Sequence, residues 1–156
     1  MPVGLSIDTA ALRAAVAAMK AADRRLRSDI NTATRQDLGP AWQRAVRNRA
    51  VTEQDEALVR VGTRLAAGNP PTLQAATSRR PMSRRRKGRG TLVPATDYGL
   101  IEFGSRRSGR VPRRNPDGRI VYPAARAIAP WAAARWAKAI RDAYIARANL
   151  GVETNG

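Results

Sequence analysis

The chain has 156 residues, with 29 basic against 12 acidic side chains, no His, no Cys and a net charge of +17. The missing residue types exclude disulfides, thiol nucleophiles, Cys/His zinc sites and imidazole acid–base chemistry. The charge calls for an anionic partner: nucleic acid, an anionic membrane or an acidic protein surface.

The length suits a single domain over residues 1–156. The apolar fraction is 43% but much of it is Ala, and aromatics make up only 4%. A lone chain therefore buries little apolar area, and self-association or docking is expected to complete the structure. Arg supplies 26 of the basic residues and Lys only 3. Bidentate recognition of phosphate or carboxylate favours Arg, and a GC-rich genome yields the same bias. The start lacks the basic end and apolar run of a signal peptide, and no stretch approaches the roughly 20 apolar residues that span a bilayer. The expectation is a soluble protein or part of a soluble assembly, away from the membrane.

In chain order, Ser6, Asp8 or Thr9 is placed to cap a first helix over about 9–37. Leu5, Leu12, Met19, Leu26 and Ala33 recur every seven residues, with Val16 and Ile30 beside them, and Asp23 interrupts the stripe. Such a stripe packs on the domain's own sheet or against a neighbouring subunit. Gly39-Pro40 reads as a helix stop followed by a short helix to Asn48 carrying Trp42 and Val46. Together these make an N-terminal helical region over 1–50. Thr52 to Glu56 reads as a turn. Leu58 to Leu65 reads as a strand, with a helix as the alternative, and Thr72 to Thr77 as a second strand after the turn Gly68-Asn69-Pro70-Pro71.

A basic loop follows over 79–90: Arg79, Arg80, Arg84, Arg85, Arg86, Lys87 and Arg89 make seven of its twelve residues. Pro and Gly keep it irregular, so a polyanion or an acidic partner is what would order it. Tyr98-Gly99-Leu100-Ile101-Glu102-Phe103-Gly104-Ser105 then reads as the central strand, bracketed by glycines and holding the sole Phe. A second basic loop over 105–119 carries six Arg and the turn Asn115-Pro116-Asp117-Gly118. Ile120 to Tyr122 reads as a brief edge strand closing a β-rich region over 57–122. Pro123 opens the last helix, over 123–150, with Trp131 and Trp136 on a broad face and Pro130 near its start. Residues 151–156 read as a tail. The fold class is α+β: a long N-terminal helix, a small mostly antiparallel sheet with extended basic loops, and a C-terminal helix packed on the sheet.

Candidates for chemistry are few. Asp97 and Glu102 are the carboxylate pair near the central strand, and no third group converges on them, so Glu102 is expected to neutralise a local arginine or bridge subunits. Gly88-Arg89-Gly90 links no strand to a helix and fails as a phosphate loop. Phosphate contacts from the two basic loops would be sequence-independent and salt-sensitive. Aromatics for base stacking are missing there.

Two linked pieces, Tyr98 to Ser105 and Val121-Tyr122-Pro123-Ala124 followed by a tryptophan-bearing helix, resemble the minor tail, or tail-completion (head–tail joining), component family of long-tailed bacteriophages. The shared pattern is an aromatic residue, an apolar–Glu–Phe–Gly–Ser or Thr segment, a variable loop, and Pro-Ala at the start of the C-terminal helix. The family often has Phe-Leu-Arg around that proline, where this chain has Ile120-Val121-Tyr122-Pro123. The resemblance implies a structural virion protein at the head–tail junction, not an enzyme and without cofactor or metal. It would form a ring of about six copies around the DNA passage, assembled in the host cytoplasm. Its partners would be portal-side connector or stopper proteins, the tail terminator or tail tube, and genomic DNA through nonspecific contact. Interface residues would be Glu102, Phe103, Arg106, Arg107, Trp131 and Trp136. The alternatives are a tail-terminator ring capping the tube and, from a different class, a sequence-nonspecific nucleic-acid-binding protein.

Overall fold

The computed structural model describes residues 9–81, 93–106 and 112–153. Within them lie five helices, α1 (Thr9–Ala21), α2 (Arg24–Arg47), α3 (Glu53–Arg60), α4 (Pro94–Phe103) and α5 (Val121–Glu153), and two strands, β1 (Arg64–Ala66) and β2 (Thr72–Gln74). The strands pair as a two-stranded antiparallel sheet. The class is α+β in this coarse sense, with helices predominating. No helix among the described residues is long and apolar enough to cross a membrane. The chain divides into two compact units: Met1–Pro40 with Leu65–Thr72 and Ile128–Gly156, and Ala41–Arg64 with Leu73–Ala127.

In the first unit, the expected single helix over 9–37 is two helices. Asp23, the residue that breaks the heptad stripe, is the reason: its Oδ1 accepts the Leu26 amide at 2.9 Å and caps the start of α2. The guanidinium of Arg27 turns back and donates to the carbonyls of Met19 (3.2 Å) and Lys20 (2.6 Å), groups that the end of α1 leaves without helical partners. After the break the buried row steps by four, through Leu26, Ile30, Thr34 and Leu38. Ala33, the expected heptad position, is exposed, and Leu5 lies outside the described residues. Ala15, Met19, Ala22, Leu65, Trp136 and Ile140 join this core.

Ion pairs join α2 to α5 in the same unit. Asp23 meets Arg147, and further along α2 Asp37 meets Arg135 at 2.7 Å, so the two helices run antiparallel. The Tyr144 hydroxyl donates to the Ala18 carbonyl at 2.7 Å, which brings α1 to the same helix.

In the second unit, α2 continues past Gly39-Pro40 as far as Arg47, contrary to the expected stop. An interior proline costs a helix about 3 kcal/mol. Complete burial of Trp42 and Val46, four and eight positions beyond Leu38, outweighs that local preference. The Trp42 indole N–H donates to the Gln74 carbonyl at 2.8 Å. The expected turn over 52–56 is instead the first turn of α3. Thr52 and Asp55 form a reciprocal capping box, and Leu58 and Val59, read as strand, lie buried on this helix. The expected strand at 72–77 is present over Thr72–Gln74.

The central segment 98–103 is helical, not extended, and this is the largest correction to the expected β-rich middle. Pro94 occupies the first turn of α4, and the Asp97 carboxylate accepts the Val93 amide at 2.7 Å. Gly99 sits inside the helix, while Gly104, at φ 68°, ends it and donates to the Leu100 carbonyl. β-branched and aromatic content favours a strand only weakly, and burial of the adjacent Ile101 and Glu102 decides otherwise. Residues 120–122 likewise form no edge strand. Ile120 is buried, and Val121 and Tyr122 begin α5, which passes through Pro130 and Gly151 to Glu153.

Two expectations follow. The Arg135 hydrogen bond, together with the charges of Arg135 and Lys138, holds the Asp37 carboxyl below its ordinary value. A folded-state pKa below the unfolded one stabilises above the unfolded value and loses that contribution as pH falls through the folded one. Thermal unfolding of Asp37→Asn and the parent chain should therefore differ at neutral pH and converge in acid. The difference should be under about 1 kcal/mol because both partners are substantially exposed. Gly99→Ala, with open space around the added methyl, should raise stability by about 1 kcal/mol in a urea titration. A loss there would contradict a helical segment.

Candidate interaction site at the start of the last helix

Glu102 has no solvent exposure. It lies on α4, 17 to 20 residues before the amides it binds. Its Oε1 accepts from the backbone N–H of Arg119 (3.1 Å), Ile120 (3.2 Å) and Tyr122 (3.0 Å). Its Oε2 accepts from Ile120 (3.1 Å) and Val121 (3.1 Å). The first turn of a helix leaves its amides unpaired and carries the positive end of the dipole. Here the carboxylate satisfies those of Ile120, Val121 and Tyr122, and the next residue, Pro123, has no N–H to satisfy. A buried carboxylate meeting several oriented amides avoids the penalty of an unpaired buried charge.

The turn before α5 shapes this seat. Asn115 Oδ1 accepts the Asp117 amide (3.0 Å) and its Nδ2 donates to the Gly118 carbonyl (3.0 Å). Gly118 is buried at φ 78°, and a Cβ there would collide with Glu102 Oε1 and lie 2.9 Å from the Tyr122 Cβ. The expected turn 115–118 is thus present, and its glycine is required by the carboxylate beneath it.

Arg119 adds a second layer. Its backbone faces Glu102, while its guanidinium donates to the Ile101 carbonyl at 3.0 Å and meets the Asp55 carboxylate at 3.4 Å. Asp55 is itself buried and accepts the amides of Val51 (3.2 Å) and Thr52 (3.1 Å). One buried network therefore joins α3, α4 and the start of α5. On the far side of α4's end, Asn115 N donates to the Phe103 carbonyl at 2.7 Å and Ser105 N to the Pro112 carbonyl at 2.9 Å.

Around this network lies a partly exposed aromatic group. The Phe103 ring packs 5.3 Å from Tyr122 and 6.5 Å from Tyr98, centre to centre. Tyr122 is 48% and Leu100 54% exposed. Burial, reinforced by the charge of Glu102, raises the pKa of the Tyr98 phenol and keeps it neutral.

The expected site residues thus separate. Glu102 and Trp136 are buried within the chain and present no side-chain surface to a partner. The local arginine that Glu102 was expected to neutralise gives it a backbone amide, and the guanidinium goes to Asp55. Phe103 is half-buried, Arg106 exposed, and Trp131 exposed on α5 with the Arg135 guanidinium 5.8 Å from its ring centre. Arg79 and Arg80 are exposed. Arg84, Arg85, Arg86, Lys87, Arg89 and Arg107 lie outside the described residues. Asp97 caps α4 and does not converge on Glu102. Among the described residues no group of three carboxylates has a metal-binding arrangement. The sequence reading missed Asp55 and Arg119. The Thr52-x-x-Asp55 spacing was the available signal for the first, and nothing local marks the second.

Both oxygens of Glu102 are occupied by backbone amides, so the carboxylate anchors the start of α5. The comparisons find no matching family model, curated protein or solved structure.

Replacing the carboxylate should therefore act on stability. Glu102→Gln puts an amide NH₂ against backbone N–H donors and should cost about 2–4 kcal/mol in chemical denaturation. Exposed Glu53→Gln should cost under about 0.5 kcal/mol. Gly118→Ala should lose about 2 kcal/mol or more, from the positive φ and the displaced carboxylate together.

Proposed function

We propose that this chain is a structural subunit of the head–tail junction of a long-tailed phage, a tail-completion or connector protein that assembles as a homo-oligomeric ring around the DNA passage. The observation that carries this reading is the union of the two pieces on which the resemblance rests. The Glu of Ile101-Glu102-Phe103-Gly104 binds the first amides of the helix that Val121-Tyr122-Pro123-Ala124 begins. The apolar–Glu–Phe–Gly segment and the Pro-Ala helix start are thereby one physical device, which gives a reason for their joint occurrence. The exposed apolar side chains Leu100, Tyr122, Trp131, Ile145 and Leu150 support association with further subunits.

In this reading Phe103, Arg106 and Trp131 face neighbouring subunits or connector proteins, the C-terminal helix packs on the small sheet, and the basic loops reach towards neighbours or the genome. The protein is a virion component without catalytic activity. A tail-terminator ring is the variant within the same class. The +17 charge favours the other class, a nonspecific nucleic-acid-binding protein.

Light scattering and native mass spectrometry on the purified chain separate these readings. A closed ring, expected to hold six copies, that Leu100→Glu or Trp131→Glu converts to monomer supports the junction subunit. A monomer at the highest soluble concentration would overturn it.

A further inference from the structure

We infer that the outward face of α2 in the first unit is a binding surface for the phosphodiester backbone of nucleic acid. A cleft of about 580 Å³ runs along this helix, and its lining includes Arg24, Arg27, Ser28, Asn31, Thr32 and Arg35. The helical period of 3.6 places Arg24, Ser28, Asn31 and Arg35 in one row, roughly 16 Å long from first to last. A duplex lying along that length presents on the order of ten phosphates. Arginine alternating with hydroxyl and amide donors is the mixture of side chains that contacts phosphate and sugar.

The charges on this face are arranged for an anion. Among the described residues, no carboxylate pairs with Arg24 or Arg35. Asp23, at the end of the cleft, is engaged by Arg147 and the Leu26 amide. Asp29 lies about 140° round the helix from Arg24. Arg27 holds the end of α1 through two carbonyls, so it frames the cleft and is unsuitable as a test position. Its residues are distinct in sequence from both basic loops, and the face does not depend on the ring.

The test is binding of the full chain to a random-sequence DNA duplex by fluorescence anisotropy across a salt series. The double variant Arg24→Gln/Arg35→Gln should weaken binding about tenfold or more at low salt, and should flatten the log–log salt slope by about two, one for each lost phosphate contact. Circular dichroism and oligomer mass should match the parent chain. An unchanged affinity and slope in a folded double variant would overturn the assignment. So would undetectable DNA binding by the parent, or equal affinity for polyglutamate of matched charge. Loss of the ring with this DNA response intact would count against the proposed function alone.

Discussion

Glu102 is a full negative charge at zero exposure, and its neutralising partners are peptide dipoles instead of a cation. Five N–H contacts from four consecutive residues occupy its two oxygens. That requirement fixes much of the second unit. The helix bearing Glu102 must end where Gly104 can turn, the chain must return through the 115–118 turn with no side chain at Gly118, and Arg119 must enter with its backbone inward. Its guanidinium then falls beside Asp55, whose carboxylate also secures the start of α3. Backbone amides on Glu102 link α4 to the start of α5, and the ion pair of Arg119 with Asp55 ties α3 to both.

This explains how much of the molecule was legible from residues alone. The last helix, the strand near Leu73 and the turn at 115–118 are marked by short-range signals: a long apolar face, the turn Gly68-Asn69-Pro70-Pro71 just before Thr72, and Asn-Pro-Asp-Gly. The segment 98–103 is not. Its Leu, Ile, Phe and Tyr content is that of a strand, and what makes it a helix is a partner 18 residues away. The same holds at Pro40, where local chemistry signals an end and the burial of Trp42 and Val46 carries the helix onward. Asp23 was visible as an interruption, but its meaning as a cap between two helices needed the turn of Arg27 back onto Met19 and Lys20.

The candidate site divides along the same line. Glu102 stood out as a carboxylate in a basic, apolar neighbourhood, and its importance was readable. Its orientation was not, because an arginine-rich sequence suggests guanidinium partners and offers no sign that backbone amides will serve. The buried Trp136 and exposed Trp131 differ by five positions on one helix, a rotation of about 140°. A broad apolar face in sequence cannot assign them to inside and outside.

A helix whose first turn is closed by a distant side chain has an unusual relation between its local and global stability. Terminal turns ordinarily fray at little free energy, and their amides exchange readily with solvent. The amides of Val121 and Tyr122 bond to Glu102 and not to preceding carbonyls of their own helix. They are released only when α4 and the turn before α5 separate. Their exchange should therefore track opening of the second unit as a whole, making these end residues of α5 internal reporters of its integrity.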